Sequence, residues 1–242
     1  MTITSPHNAK LKEIRKLRTQ RRLREHAARF VAEGEDLLAA ADAAGWEPLE
    51  RFCAAGSGLA GTEVEPELLA RAAGLASGTR ALAVYTARWA AAPVGPLCVH
   101  LHGVHDPGNV GTILRSAAAF DAACVSIGPG TADPFGPKAV RASMGAVFEV
   151  PVARCAELAA LPGTTIALDR DAADELWRSG PEGWERTPEV SLLVGAERAG
   201  LPADVLAQAD IAARIPIRTH SLNAAMAATI ALYEVNRMRP AP

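Results

Sequence analysis

The chain has 242 residues, 49% of them hydrophobic and 5% aromatic, with 25 Lys+Arg against 27 Asp+Glu. That apolar fraction at that length excludes a disordered chain and leaves room for one large domain or two modest ones. The net charge of -2 hides an asymmetry: residues 1–30 hold nine Lys/Arg and two Asp/Glu, and the other 212 hold 16 basic and 25 acidic residues.

Cys53, Cys98, Cys124 and Cys155 form no CxxC pair and no Cys/His cluster at metal-ligand spacing, so reduced buried thiols and no metal are expected. No N-terminal segment reads as a signal peptide, and no apolar run approaches the roughly 20 residues of a membrane helix. The expectation is a cytoplasmic protein without membrane association.

Along the chain, Leu11, Ile14 and Leu17 form a narrow apolar stripe, which predicts a helix over 8–26 whose other faces carry Lys10, Lys12, Arg15, Lys16, Arg18, Arg21 and Arg22. A strand is expected over 30–32 and an Ala/Leu-rich helix over 35–44, closed by Gly45. Short apolar runs and glycine turns over 48–85 complete a small α/β or α+β module. Residues 86–96, TARWAAAPVGP, read as a linker. Beyond it, expected strands at 97–101, 124–127, 147–152, 164–168, 191–194 and 212–217 alternate with expected helices at 111–120, 137–144, 155–161, 172–178, 202–209 and 221–239. This alternation predicts an α/β domain with a mostly parallel sheet, whose ligand lies at the carboxyl ends of the strands.

Three turns could carry chemistry. In LHGVHDPGNVGTILRSAAAF (101–120), a strand runs through Asp106-Pro107-Gly108-Asn109 into a helix, whose first amides favour an anion, with Arg115 further along it. In LLVGAERAGL (192–201), Gly195 permits close ligand approach, and Glu197 can accept hydrogen bonds or brace Arg115. In the third, 212–239, Ser221 or Asn223 starts a last helix on which Leu222, Met226, Ile230 and Tyr233 share a face while alanines leave much of the rest small. Neither GxGxxG nor a Walker loop is present, which disfavours dinucleotides and nucleoside triphosphates. His100, His102 and His105 alternate without acidic or thiol partners, so they read as satisfied or solvent-facing side chains.

In this order, DPGNVGTILRSAAAF (106–120), LLVGAERAGL (192–201), RIPI (214–217) and SLNAAMAATIALYE (221–234) resemble the SpoU (TrmH) branch of the SPOUT RNA methyltransferases. DPFGPKAVRASMGAVFEVPV (133–152) looks like that family's linking segment, and ITSPHNAKLKEIRKLR with RFVAEGEDLL like its substrate-binding domain. The resemblance implies an L30e-like RNA-binding domain over 1–88, a linker over 89–95 and a methyltransferase domain over 96–242 with a deep C-terminal trefoil knot. It also implies S-adenosylmethionine as cofactor and a homodimer whose active sites draw on both chains.

By that resemblance, Asn109, Arg115, Glu197, Ser221 and Asn223 form the catalytic set. Leu193, Val194, Gly195, Ile215, Ile217, Leu222 and Ala224 would hold the cofactor, and Lys10, Lys12, Arg15, Arg18, Arg22 and Arg141 the RNA. A guanidinium with a pKa above about 12 is a poor base, so Arg115 is expected to clamp the phosphate beside the target ribose while Asn109 and Glu197 orient it. Two departures stand out. The loop before Ser221 is about two residues shorter than is usual and carries Arg218, Thr219 and His220 in place of small residues, and Ala224-Ala225-Met226 replaces a β-branched run.

The expected activity is 2'-O-ribose methylation of ribosomal (23S) RNA by residues 96–242, with capture by the N-terminal domain. A tRNA-directed enzyme, a non-catalytic RNA-binding or ribosome assembly factor, and a nucleotide-dependent oxidoreductase are the alternatives.

Overall fold

The computed structural model describes residues 2–74, 78–177, 189–218 and 221–238. Its first part runs α1 (Ala9–Thr19), α2 (Arg21–Ala27), β1 (Arg29–Glu33), α3 (Glu35–Ala43), β2 (Glu50–Ala54), β3 (Thr62–Val64), α4 (Pro66–Ala73) and β4 (Ala81–Thr86). The strands form one sheet in the order β1-β4-β2-β3, antiparallel except for the β2/β3 pair. α1 buries Leu11, Ile14 and Leu17 against Phe52, Leu69 and Leu82. The expected single helix over 8–26 is broken at Gln20, whose backbone is extended. The break turns Arg24 back so that its Nη1 donates to Leu17 O at 2.7 Å, satisfying a carbonyl at the end of α1.

The second part contains β5 (Leu97–Leu101), α5 (Pro107–Ala119), β6 (Cys124–Ile127), α6 (Pro137–Ser143), α7 (Ala146–Glu149), β7 (Val152–Arg154), β8 (Thr164–Leu168), β9 (Asp174–Glu175), β10 (Val190–Val194), α8 (Ala203–Gln208), β11 (Ile211–Arg214) and α9 (Ala224–Met238). Its sheet has the order β7-β6-β5-β10-β8-β11-β9, and every pairing is parallel. The α/β expectation therefore holds, with three local corrections.

In place of the strand expected over 147–152, Val147 and Phe148 lie in α7 and the strand starts at Val152. A short buried apolar run without alternation suits either form. Over 155–161 there is a single 3-10 turn, Leu158–Ala160. Leu158 is its buried position, with Cys155 and Leu161 buried three residues to either side, a spacing that suits the tighter turn. The expected helix over 172–178 is replaced by β9, because Arg214 draws in Ala172 O at 2.8 Å and Ala173 O at 2.6 Å and pairs with Glu175. Its last residue, Arg178, lies outside the described residues, as does Arg239 at the end of the expected last helix.

The two sheets share one core. Phe30, Trp46 and Tyr85 from the first part pack with Phe135 and Phe148 from the second, with Phe30–Phe135 centroids 5.0 Å apart and Trp46–Phe148 centroids 5.2 Å apart. Trp46 Nε1 also donates to Phe148 O at 2.8 Å, and the buried Arg24–Asp133 pair crosses the same seam at 2.7 Å. The stretch read as a linker is packed as well: Trp89 lies edge-on to Phe135, and Ala90 bridges Ala153. All four cysteines are free and buried.

Candidate active site

The site lies where β8, β10 and β11 end. After Val194 the chain makes a tight turn, closed by reciprocal bonds from Ala196 N to Gly200 O at 3.1 Å and from Gly200 N to Ala196 O at 3.0 Å. A Cβ at position 195 would lie 2.3 Å from the Gly200 carbonyl carbon, so only glycine fits there. The tip of this turn presents Glu197 and Arg198.

α5 starts at Pro107, its N-cap being Asp106, whose carboxylate accepts from Gly108 N at 2.6 Å. Lys138 Nζ sits 2.9 Å from the same carboxylate, and this bond, with the Gly108 amide, holds the Asp106 pKa below its usual value. The anion expected at this helix start is thus supplied by the chain itself. Gly111 lets α6 come close, since a Cβ there would lie 2.2 Å from Ala139 O.

In the first turn of the helix, Asn109 Nδ2 donates to Glu197 Oε1 at 2.6 Å, and Asn109 Oδ1 accepts from Asn223 Nδ2 at 3.0 Å. Asn223 Oδ1 in turn accepts from Ala225 N at 2.9 Å and Met226 N at 3.3 Å, so Asn223 rather than Ser221 caps α9. Three segments distant in sequence are joined by one chain of side-chain hydrogen bonds.

Beside this relay is a pocket of about 290 Å³. Of the residues expected to hold the cofactor, Val194, Gly195, Ile215, Ile217, Leu222 and Ala224 line it, as does Ser221. Leu193 does not; it is fully buried on the face of the sheet that packs on Cys98 and Val205. Sequence reasoning missed Asp169 and Asp171, which follow β8 and also line the pocket; acidic residues directly after a parallel strand were the available signal.

Arg115 stands apart. It is exposed on α5 and has no ion pair or hydrogen bond among the described residues, and Asn109 and Glu197 bond to each other and not to it. Its neighbour Ser116 ties α5 to α9 through Thr229, Oγ to Oγ1 at 2.6 Å. The buried side of α9 is alanine-rich, with Ala224, Ala225, Ala228 and Ala231 beside Leu232 and Val235, whereas Met226, Ile230 and Tyr233 are 60%, 37% and 51% exposed.

Of the expected RNA-binding residues, Lys12 and Arg22 are exposed and unpaired among the described residues. Lys10 pairs with Glu50, and Arg15 donates to Leu11 O and Pro6 O. Arg18 corrects the expectation. Its side chain is 13% exposed, with Nε 3.6 Å from Glu33 Oε2 and Nη1 donating to Ala72 O. Arg141 holds the other Glu33 oxygen at 2.9 Å. Burial lowers the Arg18 pKa and raises that of Glu33, so Arg18 is a structural cation.

His100 is fully buried. Its Nδ1 lies 2.9 Å from Ser126 Oγ and its Nε2 is unpartnered. Burial, assisted by His102, lowers its pKa to about 4. Among the described residues no His/Cys/Asp/Glu group is arranged to hold a metal, and no helix is long and apolar enough to cross a membrane.

The parallel sheet, strand-end pocket and asparagine–glutamate relay define an α/β protein with a candidate ligand site built from its C-terminal loops. Residues 96–233 match the model of the SpoU rRNA Methylase family. The chain is similar to the AdoMet-bound rRNA methyltransferase of Sinorhizobium meliloti over 100% of its own length and 99% of that chain, with a TM-score of 0.87 and 30% identity. It is 39% identical to an uncharacterized tRNA/rRNA methyltransferase of Mycobacterium tuberculosis, over 57% of this chain and 50% of that protein. With the 23S rRNA (guanosine(2553)-2'-O)-methyltransferase RlmP of Bacillus subtilis it shares 33% identity, over 56% of each. The chain thus spans about half the length of these curated relatives. It belongs to the SpoU rRNA methylase family.

Proposed function

We propose that this protein is an S-adenosylmethionine-dependent methyltransferase acting on a ribose 2'-hydroxyl of 23S ribosomal RNA. The observation that carries this reading is the Asn223–Asn109–Glu197 relay at the mouth of the strand-end pocket. The pocket suits the cofactor: Val194, Ile215, Leu222 and Ala224 give apolar walls for a flat base and the carbon chain beside the sulfonium, and backbone groups at the strand ends are available to its polar edges. When bound, S-adenosylmethionine supplies an electrophilic methyl group on a sulfonium.

The chain's own residues orient the acceptor. Asn109 occupies Glu197 Oε1 and fixes the carboxylate; Oε2 has no partner among the described residues and is free to accept from the ribose hydroxyl. Arg115 neutralises the neighbouring phosphate. Its separation from the relay within one chain supports a homodimer in which it serves the partner's site. The exposed Met226, Ile230 and Tyr233 offer the apolar surface for that contact. We further infer that the segment from β8 to α9 is knotted, a reading supported by the placing of β10 between β5 and β8.

The test is to incubate the protein and labelled S-adenosylmethionine with unmodified 23S rRNA, 16S rRNA and bulk tRNA transcripts, and to map 2'-O-methylation by resistance to alkaline cleavage. A single resistant ribose in 23S rRNA is expected. Labelling of tRNA alone moves the substrate to tRNA, and absence of cofactor binding by calorimetry removes the enzymatic reading.

A further inference from the structure

Most of the described arginines are committed to ion pairs, among them Arg18, Arg21, Arg24, Arg29, Arg51, Arg80, Arg141 and Arg214. The pocket's rim is different. Three adjacent parallel strands, β10, β8 and β11, each run at their carboxyl end into a loop that carries an arginine: Arg198, Arg170 and Arg218. Arg170 lines the pocket and, among the described residues, has only its exposed sequence neighbour Asp171 as a partner, at 3.2 Å, an arrangement that contributes little. Arg198 lines the pocket from the tip of the 196–200 turn, next to Glu197, and Arg218 directly follows the lining residue Ile217. Arg198 and Arg218 are exposed and have no ion pair or hydrogen bond among the described residues.

Two exposed guanidinium groups without partners among the described residues, Arg198 on the pocket wall beside Glu197 and Arg218 one residue past the lining Ile217, suit successive phosphates of a polyanion better than a single small anion. The 196–200 turn divides its tip by direction: Glu197 reaches Asn109, and Arg198 faces solvent at the rim.

We propose that Arg198 and Arg218, with Arg170 beside them, form a second RNA-binding site that grips the backbone phosphates flanking the target ribose, separate from the N-terminal basic helix. The inference rests on the RNA-methylating reading above. The arginine-bearing loop thereby acquires a role, because Arg218 takes a phosphate contact at the mouth of the pocket. Capture and positioning are divided between two basic surfaces, and the rim acts on the segment that enters the pocket.

The experiment measures binding of the full chain to unmodified 23S rRNA transcript across a potassium chloride series, for wild type, Arg198→Ala/Arg218→Ala and Arg198→Lys/Arg218→Lys, with S-adenosylmethionine affinity measured in parallel by calorimetry. Loss of two phosphate contacts should flatten the log–log salt slope by about 1.4 and raise the KM for RNA roughly tenfold. The lysine pair should restore the slope because counterion release depends on charge, and cofactor affinity, measured alongside, separates loss of phosphate contacts from damage to the pocket wall that Arg198 helps to form. An unchanged slope and KM in the alanine pair, with the wild type methylating RNA, overturns the arginine rim and leaves the proposed function standing. Should the alanine pair lose cofactor affinity, a lysine pair that regains it without regaining the slope overturns the rim equally. A wild type that binds the cofactor but neither binds nor methylates any RNA overturns the proposed function and the rim with it.

Discussion

Asn109 and Glu197, 88 positions apart in sequence, are joined by a side-chain hydrogen bond of 2.6 Å that fixes the only acidic side chain of the 196–200 turn. Replacing Asn109 by Ala frees that carboxylate and also removes the acceptor for Asn223. Turnover should fall by about 10²-fold or more, the scale of losing one oriented polar group in a site, with S-adenosylmethionine affinity within a few-fold. Single-turnover methylation and calorimetry separate the two effects; equal losses in both would assign Asn109 to cofactor binding.

Arg115 has no partner among the described residues of its own chain, so its substitution should leave stability untouched. Arg115→Lys keeps the charge but loses the planar fork that grips a phosphate bidentately. The expected result is a loss of about 10-fold or more in kcat/KM with an unaltered melting temperature. Unchanged turnover would remove the clamp role.

The exposed row on α9 makes a separate prediction. Ile230→Glu places a charge in the centre of the apolar strip. Sedimentation should show a dimer for wild type and a monomer for the variant, and methyl transfer should fall with dimerisation because Arg115 then has no partner site to serve. A variant that remains dimeric places the interface elsewhere.

The Arg24–Asp133 pair is buried on both sides, at 8% and 10% exposure. Asp133→Ala leaves the Arg24 guanidinium without its carboxylate and should cost about 3 kcal/mol, measured by urea unfolding. Arg18→Ala should likewise destabilise, whereas Lys12→Ala/Arg22→Ala should reduce RNA affinity without lowering the melting temperature.

His100 sets an acid limit. Its folded pKa, about 4, lies below that of an unfolded histidine near 6.5. Between these values the unfolded chain binds the extra proton, so this contribution is present above about pH 6.5 and is lost as pH falls toward 4, by roughly 3 kcal/mol. His100→Asn should flatten the stability profile over that window, and chemical unfolding at pH 7 and pH 5 measures it. An equal pH dependence in both proteins assigns the acid sensitivity to other groups.

Much of the C-terminal half was legible because glycine turns at strand ends and the helix starts after Asp106 and before Ala224 leave local marks in the sequence. The meeting of Asn109, Glu197 and Asn223 was implied by family resemblance, since nothing local relates positions 88 and 114 residues apart. What local pattern could not give was what covers a polar face. Arg18 reads as one more cation on a basic helix, yet α4 and β1 enclose it through Ala72 O and Glu33. On α9, either the alanine face or the Met226/Ile230/Tyr233 row could have turned inward, and the small residues won because they let α5 approach to hydrogen-bonding distance at Ser116. The 147–152 run failed for another reason: continuous apolar burial erases the alternation that distinguishes a strand.

The shared aromatic core around Phe30, Trp46, Tyr85, Phe135 and Phe148 also constrains how a target can be chosen. Two halves with separate interiors could swing and bring distant points of a substrate together. Here the halves are welded, so the span from the basic helix to the pocket is a fixed caliper. On the proposed reading, the nucleotide that receives the methyl group is the one that a folded RNA holds at that distance, and selection lies in the shape of the RNA as much as in its letters.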